Sequence, residues 1–336
     1  MVQWATGNIG TRALRQVIRH PDLDLVGVLV YDPAKEGVDA GELCGEPATG
    51  VQATTSRDAI VALDADCVLY MPRSLDVDEV VALLERGTNV VTTRGEFHHG
   101  GERLGEERER VVAACERGKS SVFATGSSPG FITDALPHAL LSLQREFELY
   151  EIDEYADLSQ RNSPDLLFTL MGFGQPLESY DERRAAYLVG EFGPALSGVA
   201  DAAGKSVDDW QSAGAVAAAR VDTRIAAGEI RAGTVAAQRN TVTGLSKGRP
   251  IVRFQSHWYC TTDVEPAWDL RPTGWRVQIH GDAPLDVQLR FPFEVSELGD
   301  ATPAYTANTP VNAIPHVCQA QPGILSALDL PPLLPR

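Results

Sequence analysis

Across the first 130 residues, short apolar runs alternate with stretches whose apolar positions recur at helical spacing. The runs Asp24 to Tyr31, Asp66 to Met71, Asn89 to Thr93 and Ser121 to Thr125 read as buried strands. Asn8 to Ile18 carries Ile9, Ala13, Leu14, Val17 and Ile18 on one stripe. Val77 to Arg86 and Glu106 to Arg117 each run into a glycine, Gly87 and Gly118, of the kind that ends a helix. Strand and helix in alternation predict a parallel sheet covered on both faces. The first strand, Val2 to Trp4, is a stub.

The pattern changes after "GSSPGF". Phe131 to Leu143 reads as a helix, and "FELYEIDEYADLS" as a strand. Residues 175 to 230 are Ala-rich and read as mostly helical. Two hairpins follow, around Ser246-Lys247-Gly248 and around Gly281-Asp282. A last helix is expected to start near Pro310 with Thr309 as its cap. The expected fold class is α/β. A parallel-sheet domain spans 1–130, and an α+β domain with a largely antiparallel sheet spans 131–308. A tail helix in 309–336 returns to the first domain.

Composition narrows the function classes. The chain is 43% apolar and 22% charged, which is a globular balance. Its net charge of −17 argues against nucleic acid or an anionic membrane as partner, since both need a basic face. The five cysteines are scattered and form no Cys-x-x-Cys, as in a cytoplasmic protein whose thiols are reduced packing residues. No apolar run reaches the roughly 18 residues that span a bilayer.

Candidate chemistry begins at "ATGNIG". In the G-x-G-x-x-G frame of a dinucleotide fingerprint the glycine positions are Ala5, Gly7 and Gly10. Gly7 lets the backbone approach a pyrophosphate, and Gly10 lets the helix sit against the strand. Ala5 fits if the turn there keeps φ negative. The second strand ends at Asp32, twenty-two residues after Gly10, where an acid would bind the adenosine ribose. This is the context of a Rossmann-type NAD(P) domain. Asp32 favours NAD, because a carboxylate repels the 2′-phosphate of NADP, while Lys35 could offset that by pairing with the phosphate. The expected cofactor surface is Thr6, Gly7, Asn8, Ile9, Gly10, Tyr31, Asp32 and Lys35, with Met71, Pro72, Thr93, Arg94 and Ser127 at later strand ends.

Together "VQWATGNIG", "AGELCG", "VVTTRGEF", "ATGSSPGF", "TDVEPAWDL" and "NTPVNAIPHVCQAQPGI" resemble the dihydrodipicolinate-reductase-like dehydrogenases, in the branch of 2,4-diaminopentanoate dehydrogenase and the native amine dehydrogenases. The C-terminal motifs are the more specific ones. The resemblance implies an NAD(P)-dependent amine dehydrogenase, usually a homodimer with the second-domain sheet in the interface. Its substrates would be a small amine or carbonyl and ammonia. The His-His pair and Lys of true dihydrodipicolinate reductases have no counterpart here, where Ala156, Asp157 and Gln160 stand. That specific activity is not expected. The resemblance makes Glu96, in "RGEF", the catalytic acid/base, and the chemistry calls for a partly buried carboxyl with a raised pKa.

His98 and His99 point two ways and form no metal site on their own. Ser127, Ser128 and Gly130 could line the nicotinamide end of the site, and Asn312 could bond the nicotinamide amide or ribose. The expected substrate walls are Phe131, Leu158, Phe168, Met171, Phe173 and Thr309, with Arg161 the nearest candidate for holding a carboxylate. Strand alternation puts His257 on a polar face with Arg253 and Gln255, either as a pocket residue or as a satisfied sheet histidine. Two alternatives stand beside the amine dehydrogenase: a carbonyl or imine reductase that does not use free ammonia, and a non-catalytic nucleotide-binding regulator.

Overall fold

A computed structural model of the chain describes residues 1–181 and 183–335. The chain divides into two compact units. One is Met1–Phe131 with the residues from Pro303 onward, and the other is Ile132–Thr302.

In chain order the first unit holds β1 (Val2–Trp4), α1 (Asn8–Arg19), β2 (Gly27–Leu29), α2 (Ala40–Cys44), β3 (Ala53–Thr54), α3 (Arg57–Val61), β4 (Cys67–Tyr70), α4 (Val77–Glu85), β5 (Asn89–Thr92), α5 (Arg108–Gly118) and β6 (Ser121–Ala124). The second holds α6 (Leu136–Leu141), β7 (Phe147–Asp157), α7 (Arg183–Ala202), β8 (Asp209–Ala219), β9 (Thr223–Ile225), β10 (Gly228–Ile230), β11 (Val235–Ser246), β12 (Arg249–Tyr259), β13 (Val264–Glu265), β14 (Gly274–Gly281) and β15 (Leu285–Arg290). Then come α8 (Leu298–Val317) and β16 (Gly323–Leu325).

The first sheet is parallel throughout, in the order β16-β6-β5-β4-β1-β2-β3. The chain starts at its centre and reverses direction between β1 and β4, where doubly wound folds bind ligands. Being central explains how a three-residue strand suffices: β1 pairs on both sides, and Val2, Gln3 and Trp4 are all fully buried. One face packs on α4 and α5 through Val80, Leu83, Leu84, Val111 and Ala114. The other packs on α1 and on α8 through Ala13, Val17, Val311, Ile314 and Val317.

The second sheet runs β13-β8-β11-β12-β7-β14-β15, antiparallel except for the parallel β12–β7 pair. Both predicted hairpins are present as β11–β12 and β14–β15. Phe192 of α7 stacks on Phe254 of β12 at 3.9 Å, so the even-numbered face of β12 lies under the helix.

Two expectations are corrected. Within 175–230 only Arg183–Ala202 is a long helix; Asp209–Ala219 is a strand and β9–β10 a ribbon. Alanine favours helix intrinsically, but β8 sits between β13 and β11, and its ladder to β11 overrides that preference. The last helix begins at Leu298, not Pro310, and Thr309 lies inside it with its hydroxyl bonded to Tyr305 O at 3.1 Å. The actual start is marked by a reciprocal capping box between Glu294 and Glu297, which the prolines overshadowed.

Candidate active site

The loop after β1 is a corner held by the chain's own groups. Ala5 N donates to Leu29 O at 3.0 Å, and Gln3 Nε2 donates to Ala5 O at 2.9 Å. Ala5 has φ +76°, which corrects the expectation of a negative φ. The turn keeps the left-handed shape that glycine normally supplies, and alanine bears the strain. Gly10 has no freedom to change, since a Cβ there would lie 2.2 Å from Ala5 O. A Cβ on Gly7 would meet nothing within 4 Å. Gly7 caps α1 without a side-chain bond, and the first turn carries no acid. The amides of the first turn therefore face open space next to a glycine, which is a cradle that fits a dinucleotide pyrophosphate.

Asp32 follows β2, and its carboxylate accepts from Ala34 N at 3.0 Å. Lys35 turns away from it: Nζ donates to Thr6 O at 3.0 Å and Thr6 Oγ1 at 3.2 Å, so its ammonium sits at the phosphate loop. Asn8 and Ile9 open α1. Tyr31 is half-exposed, and its hydroxyl accepts from Trp4 Nε1 at 3.0 Å.

Tyr31 lines a cavity of about 440 Å³ with Thr55, Ser56, Arg57 and Asp58. The Arg57 guanidinium lies 5.7 Å from the Tyr31 ring centre and pairs with Glu79 at 2.6 Å. Sequence reasoning missed this wall because β3 is only two residues long and gives no apolar run. Its one signal is "TTSRD", where Ser56 caps a helix.

Met71 and Pro72 follow β4, both buried, and Met71 N donates to Trp4 O at 3.0 Å. After β5, Thr92 Oγ1 donates to Tyr70 O at 2.6 Å and accepts from Arg94 N at 3.0 Å, which fixes the turn through Thr93. Glu96 stands in a single 3₁₀ turn, Gly95–Phe97, anchored by the fully buried Phe97. Arg94 Nε donates to Glu96 Oε2 at 3.2 Å and Nη2 contacts Oε1, while Nη1 donates to Arg73 O at 2.7 Å. Burial alone would raise the Glu96 pKa, but the Arg94 bonds and charge outweigh it and the net shift is downward. This corrects the expectation of a raised pKa: the cation two residues upstream keeps the carboxylate charged. His98 is buried and pushed down to about 4 by desolvation, helped by Arg103, so it is neutral at physiological pH. His99 Nδ1 lies 3.0 Å from Glu102 Oε2.

After β6, Ser127 Oγ and Thr306 Oγ1 of α8 are hydrogen-bonded at 2.6 Å. Ser128 Oγ is buried with no partner in the protein. Gly130 takes φ +126° with its backbone against Thr125, and Phe131 N bonds back to Gly126 O at 2.7 Å.

Asn312 is not brought to these strand ends. It lines a cavity of about 160 Å³ with Gln16, Arg19 and His20, at the far end of α1 from Gly7. The earlier start of α8 is the reason. The α8 residue bonded to the β6 loop is Thr306, and Asn312 falls further along the helix.

In the second unit Phe173 is fully buried in a core with Leu167 and Tyr259, and Leu158, Phe168 and Met171 pack around it. His257 is also buried. Its ring stacks on Tyr155 at 4.5 Å, and Nε2 lies 3.0 Å from Gln255 Nε2 and 3.5 Å from Asp153 Oδ1. It belongs to the sheet face opposite α7, which also carries Arg253–Glu151 at 2.6 Å and Gln255–Asp153 at 3.1 Å. The arrangement is the satisfied sheet histidine. Arg161 is exposed in the turn after β7. On the α7 face, sequence reasoning missed Glu154, which accepts from Trp258 Nε1 at 3.0 Å and Trp275 Nε1 at 2.9 Å.

Known proteins resemble this chain in sequence and in fold. The family model of the 2,4-diaminopentanoate dehydrogenase C-terminal domain matches residues 170–335. An amine dehydrogenase of Streptomyces virginiae is 32% identical over 98% of this chain and 95% of its own length. Among solved structures, the amine dehydrogenase from Mycobacterium smegmatis superposes with a TM-score of 0.80 at 20% identity, over 100% of this chain and 96% of that one. A probable dehydrogenase from Thermotoga maritima reaches 0.56 at 12% identity, over 98% and 91%. The full-length relative decides the assignment, and the chain belongs to the amine dehydrogenase family.

Proposed function

We propose that this protein is a nicotinamide-dependent amine dehydrogenase that interconverts a small primary amine with its carbonyl compound and ammonia. Glu96 is the acid/base group. The observation that carries the reading is the half-buried Glu96 carboxylate, kept charged by Arg94 just past the end of β5. When bound, the nicotinamide cofactor accepts or supplies the hydride. In the deamination direction the Glu96 carboxylate takes a proton from the substrate ammonium, which frees the nitrogen lone pair. Glu96 passes that proton to solvent, and as the hydride leaves the carbon the restored carboxylate stabilises the positive charge that develops on the nitrogen. Glu96 then takes a proton from the water that adds to the iminium carbon and returns a proton to the departing ammonia.

Gly7 and the open N-terminus of α1 are the assigned pyrophosphate seat, with Asp32 on the adenosine ribose. The preferred cofactor is NAD, because a carboxylate at position 32 disfavours a 2′-phosphate and the Lys35 side chain is engaged at Thr6. The assigned assembly is a homodimer through the polar face of the second sheet. No described helix is long and apolar enough to cross a membrane.

The test mixes purified protein with NADH or NADPH, concentrated ammonium and a panel of small ketones and aldehydes. Ammonium-dependent loss of reduced cofactor is expected. Loss without ammonium makes the protein a carbonyl reductase instead, and no loss makes it a nucleotide-binding regulator. Glu96→Ala is expected to lower ammonium-dependent turnover by about 100-fold or more while NADH still binds by fluorescence titration. Unchanged turnover would remove Glu96 from the chemistry.

A further inference from the structure

Two of the five cysteines come together in the folded chain. Cys67 is the first residue of β4 and is fully buried. Cys318 is the residue after α8, at the start of the segment that leads to β16, and is partly exposed. The Cys318 sulfur lies 3.8 Å from the carbonyl oxygen of Asp66, which is the peptide that joins Asp66 to Cys67. Both residues pack in the cluster of Leu69, Ile314 and Val317, which brings the two side chains together. The neighbouring Cys67 thiol pulls the Cys318 thiol below its ordinary pKa, and the same proximity with burial pushes Cys67 well above it. One thiol of the pair is thus the reachable, more acidic one, and the other is sheltered next to it. That is the arrangement of an attacking and a resolving cysteine.

We propose that Cys67 and Cys318 are an oxidation site that closes to a reversible disulfide in response to a peroxide. The Cys318 thiolate attacks one peroxide oxygen. The O–O bond breaks, hydroxide leaves and is protonated to water, and Cys318 becomes a sulfenic acid. The Cys67 sulfur then attacks the Cys318 sulfur, an S–S bond forms and the S–O bond breaks. The departing hydroxide takes the Cys67 proton and leaves as a second water. Two thiols supply two electrons and the peroxide accepts both, so the step balances. The bond ties the segment between α8 and β16 to the centre of the parallel sheet. Each of the other three cysteines is buried.

The full-length protein is treated with hydrogen peroxide, its remaining thiols are alkylated after unfolding, and its peptides are mapped by mass spectrometry. The expected result is a single cross-linked peptide pair joining Cys67 to Cys318, a mass lower by two hydrogens, and full reversal by dithiothreitol. Cys318→Ser is expected to form no bridge and to keep its Cys67 thiol free under the same treatment. The proposal is overturned if Cys318 accumulates sulfinic or sulfonic acid with Cys67 still free. It is also overturned if the native protein loses no thiol, or if the bridge joins a different pair.

Discussion

A methyl group added to Gly7 meets nothing within 4 Å, whereas one on Gly10 would lie 2.2 Å from Ala5 O. The two glycines of one loop therefore do different work. Gly7→Ala is expected to leave the thermal midpoint unchanged, since its φ of −74° suits any residue. It should weaken NADH binding, because the added carbon stands where the pyrophosphate would. Gly10→Ala should lower the thermal midpoint even without cofactor. Calorimetry and fluorescence titration on the same two variants separate these effects, and equal behaviour would mean the loop is only a turn. Arg94 allows a sharper test. Arg94→Gln removes the hydrogen bonds and the charge of Arg94 that oppose burial at Glu96, so its pKa rises. The working form is the carboxylate, which is lost as pH falls through that pKa. The acidic limb of kcat/KM should therefore move to higher pH in the variant, and a limb that stays in place contradicts the role given to Arg94. At this scale the sequence was readable where a residue's local geometry follows from type and spacing, as for Gly10, whose missing side chain lets the backbone of α1 sit against Ala5. It was misleading where a neighbour decides, as for the Glu96 pKa that Arg94 helps hold down.

Elements were legible when local pattern and tertiary demand agreed. The strand–helix alternation up to β6 and the two hairpins are of this kind. They were misread when the two conflicted. The alanines of β8 favour helix alone yet lie in a ladder, and the prolines of α8 look like a start yet lie within the helix. Glu154 shows what else a strand pattern hides. It sits on β7 with one indole from β12 and one from β14 donating to its two carboxylate oxygens, so one side chain ties three neighbouring strands. Glu154→Ala removes the acceptor that both indole N–H groups share, at a cost of about 1–3 kcal/mol. Glu154→Gln, which keeps one acceptor, should lose less. Chemical denaturation checks both, and a Glu154→Ala variant as stable as the parent would show that water replaces the carboxylate.

At the scale of the whole molecule, the first unit is completed by chain from its far end. From Pro303 onward the sequence supplies the helix over one face of the parallel sheet and the edge strand β16. Val311, Ile314, Val317 and Leu325 are each no more than 6% exposed in the same cluster as Val17 and Leu69. Burial of a side chain of this size contributes about 1.5–3 kcal/mol, so these four together contribute about 6–12 kcal/mol. That matches the entire net stability of an ordinary domain, about 5–15 kcal/mol. Ending the chain at Thr302 should therefore do more than trim a tail. It uncovers Ala13, Val17 and Phe123, leaves Ser127 without its Thr306 partner, and unpairs the outer edge of β6. The expected outcome is a protein with no cooperative thermal transition for the first unit and no NADH binding, although every residue of the phosphate loop is still present. If the truncated chain instead melts cooperatively and binds NADH with the parent affinity, the first 131 residues hold the dinucleotide fold on their own, and the terminal segment serves only the chemistry at the strand ends.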